Sequence, residues 1–330
     1  MSEAVVELFR ASGVEDVRLL EIPGGYPAVY ADVPGPAGSP TVLLYAHYDV
    51  QPAPVEQGWD TDPWTATRKD DGRIYGRGAA DDKSGPVIHA GTMRALAGRL
   101  PVGVRILVEG EEETISHLED YVDANPELFA CDAFVIADMG NREVGRPALT
   151  TALRGDVSCT LRVRTLDHPV HSGLFSGAAP DALVALIHML ATLHDEKGNT
   201  IVPGADADHE LEALMAHLRS VAPWNVLVDV EKVKVGWPFA VDMSGPAVRM
   251  ASEALETAFG RPVEQIGSGG SIPLVATLKK AAPSADVLLW GAEDLALARI
   301  HASNESVDPR EIENMVVAQV LTLLGMGETH

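Results

Sequence analysis

The stretch TVLLYA (41–46) is a continuous run of apolar residues, and His47 and Asp49 follow it at once. An apolar run of this length without polar alternation is typical of a β-strand that is covered on both faces. VRILVE (104–109) and AFVIA (133–137) have the same character. The first half of the chain is therefore predicted to contain a sheet buried between layers of helix.

A helix is predicted between the first two of these strands. SGPVIHAGTMRALAGRL (84–100) can place five apolar residues on one helical face, namely Val87, Ile88, Met93, Leu96 and Leu100. The order strand, helix, strand favours parallel strands that are joined by right-handed crossovers. ADVLLWG (285–291) predicts another buried strand, and PREIENMVVAQVLTLLG (309–325) predicts a terminal helix that ends at Gly325.

The pattern changes from about residue 155. DVSCTLRVRT (156–165) alternates apolar and polar residues, and NVLVDVEKVKV (225–235) does so less strictly. Such alternation is typical of strands with one wet face, which favours an antiparallel sheet. Helices are predicted between these strands, near 180–194 and 208–221.

Length and the change of pattern together predict two domains in the 330 residues. The larger domain, residues 1–154 and 245–330, is predicted to be α/β, with a mostly parallel sheet sandwiched by helices. The smaller domain, residues 155–244, is predicted to be an inserted α+β domain.

Composition excludes several classes of partner. The formal charge of −23 argues against nucleic acid and anionic membranes. The N-terminal residues 1–10 lack a signal pattern, and no apolar run reaches the length of a membrane span. Cys131 and Cys159 are the only cysteines, so a disulfide framework is excluded and a reducing cytoplasm is expected.

Histidine and carboxylates follow each of the three strands predicted in the first half. His47 and Asp49 follow the first, Glu111–Glu113 the second and Asp138 the third, while Asp81–Asp82 precede the predicted helix. Catalytic groups of open α/β sheets gather beyond the carboxyl ends of the strands. A solvated acidic loop, a helix cap or a simple turn explains any one of these groups alone. Their convergence predicts a metal site, and mixed imidazole and carboxylate ligands favour zinc, manganese or cobalt over calcium.

Seven motifs together resemble the M20 family of dinuclear metallopeptidases. They occur in the family's order, from about residue 17 to the C-terminus, and are YAHYDVQP, YGRGAADDKSGP, EGEEETIS, GRPALTTALRG, HSGLFSG, GGSIP and HASNE. The likeness is nearest to the carnosinase-like dipeptidases. It implies two divalent cations, zinc in the first instance, held by His47, Asp81, Glu113, Asp138 and His301.

Individual roles are implied by the same resemblance. Asp81 would bridge both ions, and family members have a cis peptide bond after this residue. His47 and Asp138 would complete the first site. Glu113 and His301 would complete the second.

Other residues would act on the substrate. Asp49 would orient His47, and Glu112 would be the general base, taking a proton from a water that both cations share. His171 would reach the site of the partner subunit and stabilise the oxyanion. The glycines and serine of GGSIP, Gly269, Gly270 and Ser271, would bind the substrate. Glu109 and Glu111 remain solvated or structural in this interpretation.

The expected function is hydrolysis of the amide bond in dipeptides or short peptides by a cytoplasmic homodimer. An N-acyl-amino-acid deacylase or desuccinylase is the first alternative, since one such centre serves any amide. A metal-binding scaffold with impaired catalysis is the second alternative.

The sequence also departs from the resemblance. Ile115 stands where these dipeptidases usually have glycine, and the chain begins late, as if a leading helix were missing. The resemblance implies that the insert acts as a lid and a dimerisation surface. Here the insert is short and lacks the basic strand that binds the substrate carboxylate in relatives. Weak substrate binding is therefore expected.

Overall fold

The computed structural model describes residues 1–175, 177–202, 209–270 and 272–328. The helices in these ranges are α1 (Ser2–Ala11), α2 (Ser84–Ala95), α3 (Leu118–Ala124), α4 (Ser172–Phe175), α5 (Ala182–Ala191), α6 (Glu210–Ser220), α7 (Pro246–Phe259), α8 (Pro273–Ala281) and α9 (Pro309–Glu328). The strands are β1 (Val17–Leu20), β2 (Ala28–Val33), β3 (Thr41–His47), β4 (Thr67–Arg68), β5 (Ile74–Tyr75), β6 (Gly103–Glu109), β7 (Ala133–Ile136), β8 (Gly140–Asn141), β9 (Ala148–Leu153), β10 (Asp156–Arg164), β11 (Leu227–Gly236), β12 (Phe239–Ala240), β13 (Glu264–Ser268), β14 (Asp286–Leu289), β15 (Glu293–Asp294) and β16 (Ser306–Val307).

The chain divides into two compact units. Unit 1 consists of Met1–Leu153 and Phe239–His330, and unit 2 consists of Arg154–Pro238. The sequence prediction draws the inserted domain as residues 155–244. In the structure β12 already pairs with β9, so the chain rejoins unit 1 before residue 245.

Unit 1 is built on a six-stranded sheet with the order β1-β2-β6-β3-β7-β14. Strand β3 pairs in parallel with both β6 and β7, and β14 pairs in parallel with β7. Strand β2 is antiparallel to its neighbours β1 and β6. The mostly parallel sheet predicted from the apolar runs is confirmed, and α2 forms the predicted crossover between β3 and β6.

Helices cover both faces of this sheet. Val42, Leu44 and Ala46 of β3 pack with residues of α1, α2, α7 and α9 on one side. Leu43 and Tyr45, which alternate with them, pack with residues of α3 and α8 on the other side. All five side chains are fully buried. A strand covered on both faces needs apolar residues at every position, which explains the unbroken run.

Two predicted helices differ in extent from the observed ones. Helix α2 ends at Ala95, and Val87 of the predicted buried face is exposed. Helix α9 passes through Gly325 and continues to Glu328, so the prediction of a stop at this glycine was wrong. At Gly327 an added Cβ would lie 2.6 Å from Cβ of Pro101, so this glycine permits a close approach inside the helix. None of the helices in the described ranges is long and apolar enough to cross a membrane.

Unit 2 contains an antiparallel pair of strands, β10 and β11. The pairing has an irregularity between Ser158 and Cys159. A small apolar cluster joins one face of the pair to α5 and α6, with Met189, Leu218 and Val230 at its centre. This arrangement agrees with the one wet face that the alternating sequence predicts.

Candidate metal centre

The carboxyl ends of the parallel strands bring the predicted residues to one edge of the sheet. His47 is the last residue of β3 and pairs in register with Glu109, the last residue of β6. Asp138 follows β7, which lies on the other side of β3. Parallel strands end at the same edge, so segments that are far apart in sequence converge there.

His47 lies at the centre of this edge and is completely buried. Its Nε2 lies 3.0 Å from Oδ1 of Asp81 and 3.6 Å from Oδ1 of Asp138. Its Nδ1 lies 3.2 Å from Oδ1 of Asp49. A histidine that meets a carboxylate on one nitrogen and two more on the other has the surroundings of a metal-ligating imidazole with an orienting partner.

Asp81 contacts both predicted halves of the centre. While Oδ1 faces His47, Oδ2 lies 2.9 Å from Nε2 of His301. The same Nε2 lies 3.1 Å from Oε2 of Glu113. The peptide bond between Asp81 and Asp82 is cis. The two carboxylate oxygens of Asp81 therefore point to two different histidines, as a shared ligand requires.

Glu113 carries a buried oxygen that lacks a donor. Its Oε2 accepts a hydrogen bond of 2.8 Å from the side-chain amide of Gln51. Its Oε1 is buried and has no hydrogen-bond partner among the described residues. A buried carboxylate oxygen without a donor is costly, because it loses water and gains nothing in exchange. A cation at this oxygen fits the arrangement.

Asp49 holds the acidic loop that follows β6. Its two carboxylate oxygens accept the backbone N–H groups of Glu112, at 3.2 Å, and of Glu113, at 3.0 Å. Since one of these oxygens also lies beside His47, the aspartate ties the imidazole to the loop. The sequence interpretation predicted that Asp49 orients His47, but not that it holds the acidic loop.

Among the residues that the structure describes, the ligand-capable atoms form three overlapping groups of three residues, and within each group these atoms lie within 4.8 Å of one another. The groups are Asp81 with Glu113 and His301, His47 with Glu112 and Asp138, and Asp81 with Asp138 and Glu293. The first group contains the three residues predicted for one ion. The second places the predicted general base beside the predicted ligands of the other.

Crowding of acids governs the protonation of these groups. Burial raises the pKa of Glu112 to about 9, and the nearby charge of Asp138 adds to the rise. Burial also raises the pKa of Asp138 to about 6. Hydrogen bonds to Asp81 and Glu113 raise the pKa of His301 to about 10. Burial holds the protons of the two acids, and neighbouring carboxylates hold that of His301; a metal cation takes the place of such protons when it binds.

The remaining acids of the loop are structural. Glu109 is buried and accepts hydrogen bonds from the hydroxyl groups of Tyr45, at 2.8 Å, and of Ser116. Oε2 of Glu111 lies 3.0 Å from Nδ1 of His117. The sequence left open whether these glutamates are solvated or structural, and the structure supports a structural role.

Sequence reasoning missed Glu293. This residue is buried, belongs to the third group of acids, and lies just beyond β14. Burial raises its pKa well above the ordinary value, and the charges of Asp81 and Asp138 add to the rise. The strand ADVLLWG was predicted, and a search beyond its carboxyl end would have found the acid at 293.

Other predicted site residues are not members of these groups. His171 belongs to unit 2, is exposed, and accepts a hydrogen bond of 3.1 Å from the backbone N–H of Gly173. Gly269 and Gly270 belong to unit 1, follow β13 and are exposed. Ser271 lies outside the described residues.

Known proteins resemble the chain over most of its length. The protein-family model described as Peptidase family M20/M25/M40 matches residues 43–324. The cysteinylglycine-S-conjugate dipeptidase of Corynebacterium striatum is 34% identical over 374 aligned positions, covering 88% of this chain and 82% of that protein. The Beta-Ala-His dipeptidase of Rattus norvegicus is 40% identical over 185 residues, covering 54% of this chain and 37% of that protein.

Solved structures support the fold. The dipeptidase Dug1p of Saccharomyces cerevisiae aligns with a TM-score of 0.86 over 99% of this chain and 90% of that one, at 20% sequence identity. The alignment with the Corynebacterium enzyme is longer than the 330 residues of this chain, so that relative has segments without a counterpart here. The M20 resemblance is confirmed over more than half of the chain, and the protein belongs to peptidase family M20/M25/M40.

Proposed function

We propose that this protein is a metal-dependent hydrolase that cleaves the amide bond of dipeptides or short peptides. The observation that carries the proposal is Asp81, whose two oxygens lie 3.0 Å from His47 and 2.9 Å from His301. A carboxylate between two histidines, within a cluster of further acids, is suited to two divalent cations. Zinc is the proposed metal, with manganese and cobalt as alternatives.

The residues divide between the two cations. His47 and Asp138 would hold one ion, Glu113 and His301 the other, and Asp81 would be shared. The buried Oε1 of Glu113, which has no donor in the described part of the chain, supports the second assignment. The donor set of imidazole nitrogens and carboxylate oxygens supports zinc, which binds both.

Bound divalent cations supply an activated water and a polarised carbonyl. Glu112 is proposed to take the proton of the attacking water and to deliver it to the leaving amine. Its place beside His47 and Asp138 supports this role, and Asp49 fixes its backbone N–H at 3.2 Å. The exposed segment 269–270 is proposed to contact the substrate.

The proposed assembly is a cytoplasmic two-fold dimer in which His171 serves the neighbouring site as oxyanion donor. Helix α5 leaves Leu183, Ile187 and Leu190 exposed, which supports a contact between copies through unit 2. Both cysteines are free, as expected for a reducing compartment.

A substrate panel tests the proposal. Cysteinylglycine, β-alanyl-histidine and other dipeptides are compared with N-acetyl and N-succinyl amino acids, by amine release with added Zn²⁺ or Mn²⁺. We expect metal-dependent turnover of dipeptides that Glu112→Gln abolishes. Preferential turnover of the N-acyl compounds would replace the proposal with a deacylase. Metal binding without turnover of any compound would favour the catalytically impaired scaffold.

A further inference from the structure

Another buried glutamate, Glu305, forms several hydrogen bonds with the segment that carries Asp81. Its side chain is completely buried. Oε2 accepts hydrogen bonds from Nη1 of Arg77, at 2.7 Å, and from the backbone N–H of Gly78, at 3.1 Å. Oε1 accepts the backbone N–H groups of Ala80, at 3.0 Å, and of Asp81, at 3.2 Å. One carboxylate thus accepts hydrogen bonds from a guanidinium and three backbone amides.

The backbone of Glu305 contacts the same segment. Its carbonyl oxygen accepts the N–H of Gly76 at 3.0 Å. The next residue, Ser306, pairs with Tyr75 in the antiparallel ladder of β16 and β5. The ladder brings Glu305 to the start of the irregular segment 76–83, where no helix or strand supports the backbone.

Glu305 also belongs to the segment that carries His301. His301 and Asn304 have φ angles of 61° and 60°, in the left-handed region that residues other than glycine rarely adopt. Such backbone persists where the surroundings fix it. Here Oδ1 of Asn304 accepts the N–H of Asp60 at 3.0 Å, and Glu305 anchors the following position.

We propose that Glu305 is a positioning residue for the metal centre, which fixes the backbone of Asp81 relative to His301. The inference rests on the proposed function, since it assigns Glu305 an effect on cation binding. Asp81 faces both histidines, so a shift of its backbone should weaken both cation sites. Loss of a contact that orients a ligand typically lowers metal affinity about 10–100-fold.

The test is Zn²⁺ affinity of the full chain, measured by competition with a chromophoric chelator after metal removal. Glu305→Gln removes the charge and presents an NH₂ group to donors. We expect both ions to bind about 10–100-fold more weakly. Glu305→Asp keeps the charge but withdraws it from the amides by about 1.5 Å. It should also weaken the binding of both ions, and it serves as the test if Glu305→Gln does not fold.

Glu311 offers a matched control. It is completely buried and accepts hydrogen bonds of 2.8 Å from the side chain of Asn141 and from the N–H of Gly145. Glu311→Gln should lower thermal stability and leave Zn²⁺ affinity within about threefold of the wild type, since ordinary scatter between variants is of this order.

Three outcomes would overturn the inference. Wild-type Zn²⁺ affinity in both Glu305 variants would show that the hydrogen bonds of Glu305 do not affect the metal centre. Equal losses in the Glu305 and Glu311 variants would show a general effect of destabilisation. Failure of the wild type to bind Zn²⁺, Mn²⁺ or Co²⁺ would refute the proposed function itself, and the inference with it.

Discussion

Adjacent glutamates of the acidic loop should give different phenotypes when each is changed to glutamine. Glu112→Gln should retain both metal ions and lose most of the activity. Glu113→Gln should lose affinity for one ion. Both substitutions keep the size and shape of the side chain, so the difference reports the role of the carboxylate and not a change of packing.

The expected loss for Glu112 follows from its surroundings. Asp49 holds the backbone of this residue through an N–H contact of 3.2 Å, which the substitution leaves intact. Its carboxylate takes part in none of the hydrogen bonds described for this loop, so the loop should keep its conformation. Loss of a general base lowers kcat about 10²–10⁴-fold, or about 3–5 kcal/mol of transition-state stabilisation.

The carboxylate of Glu113, in contrast, is held by neighbouring side chains. Its Oε2 accepts a hydrogen bond of 2.8 Å from Nε2 of Gln51 and lies 3.1 Å from His301, while Oε1 is buried without a donor. A glutamine must present its NH₂ group at one of these positions, either against the Gln51 amide or at the proposed cation. Replacing a ligand should cost more than the about 10–100-fold that loss of an orienting contact costs.

Elemental analysis after dialysis, chelator competition and steady-state kinetics measure the two effects. Glu111→Gln is the matched control from the same loop, since Glu111 contacts His117 and not the predicted ligands. It should keep metal and activity. Reversed phenotypes would mean that the assignment is displaced by one residue. Loss of metal from Glu112→Gln would make Glu112 a ligand, as its group with His47 and Asp138 permits, and would refute its role as base.

Three further predictions concern metal content, pH and assembly. Asp81→Ala should lose both ions and His47→Ala mainly one, and elemental analysis of the reconstituted wild type showing a single ion would contradict this. Burial lowers the pKa of His89 to about 4. Its imidazole therefore stays neutral in the folded protein at pH values at which the unfolded chain, with a pKa near 6.5, binds a proton. Stability should therefore fall by about 3 kcal/mol between pH 6.5 and pH 4. In urea unfolding, His89→Gln should abolish this contribution to the fall in stability between pH 6.5 and pH 4. An unchanged pH dependence would contradict the assignment of the effect to His89. Ile187→Glu should convert a dimer to monomers in light scattering and lower kcat about 10²–10³-fold if His171 serves the partner's site; an active monomer would exclude that role.

Sequence reasoning succeeded where topology decides the outcome. His47 and Asp138 follow parallel strands, and parallel strands end at one edge, so their proximity is predictable without knowing any contact. The unbroken apolar runs likewise fixed the layers of unit 1, because a strand between two helical layers must be apolar at every position. Glu293 follows the same rule beyond β14 and was accessible to it.

The sequence could not predict contacts between distant segments. Glu305 bonds to residues more than 220 positions away, and although it ends the motif HASNE, that motif gave a role to His301 alone. The predicted stop at Gly325 was wrong for a related reason. A glycine near a helix end indicates a stop when it takes a left-handed conformation, but Gly325 lies inside α9 beside Met250, which only the packed structure reveals.

Asp49 and Glu305 are both outside the predicted ligand set, and they act in the same way. Asp49 accepts the N–H groups of Glu112 and Glu113, and Glu305 accepts those of Ala80 and Asp81. Each carboxylate therefore binds two successive amides in a segment that carries a predicted ligand. A loop held by its own side chains would move when a cation draws those side chains inward. A loop held through its backbone by a separate acid leaves the ligand side chains available to the cation, so this anchoring is a physical reason for so many acids to lie beside one another at this edge.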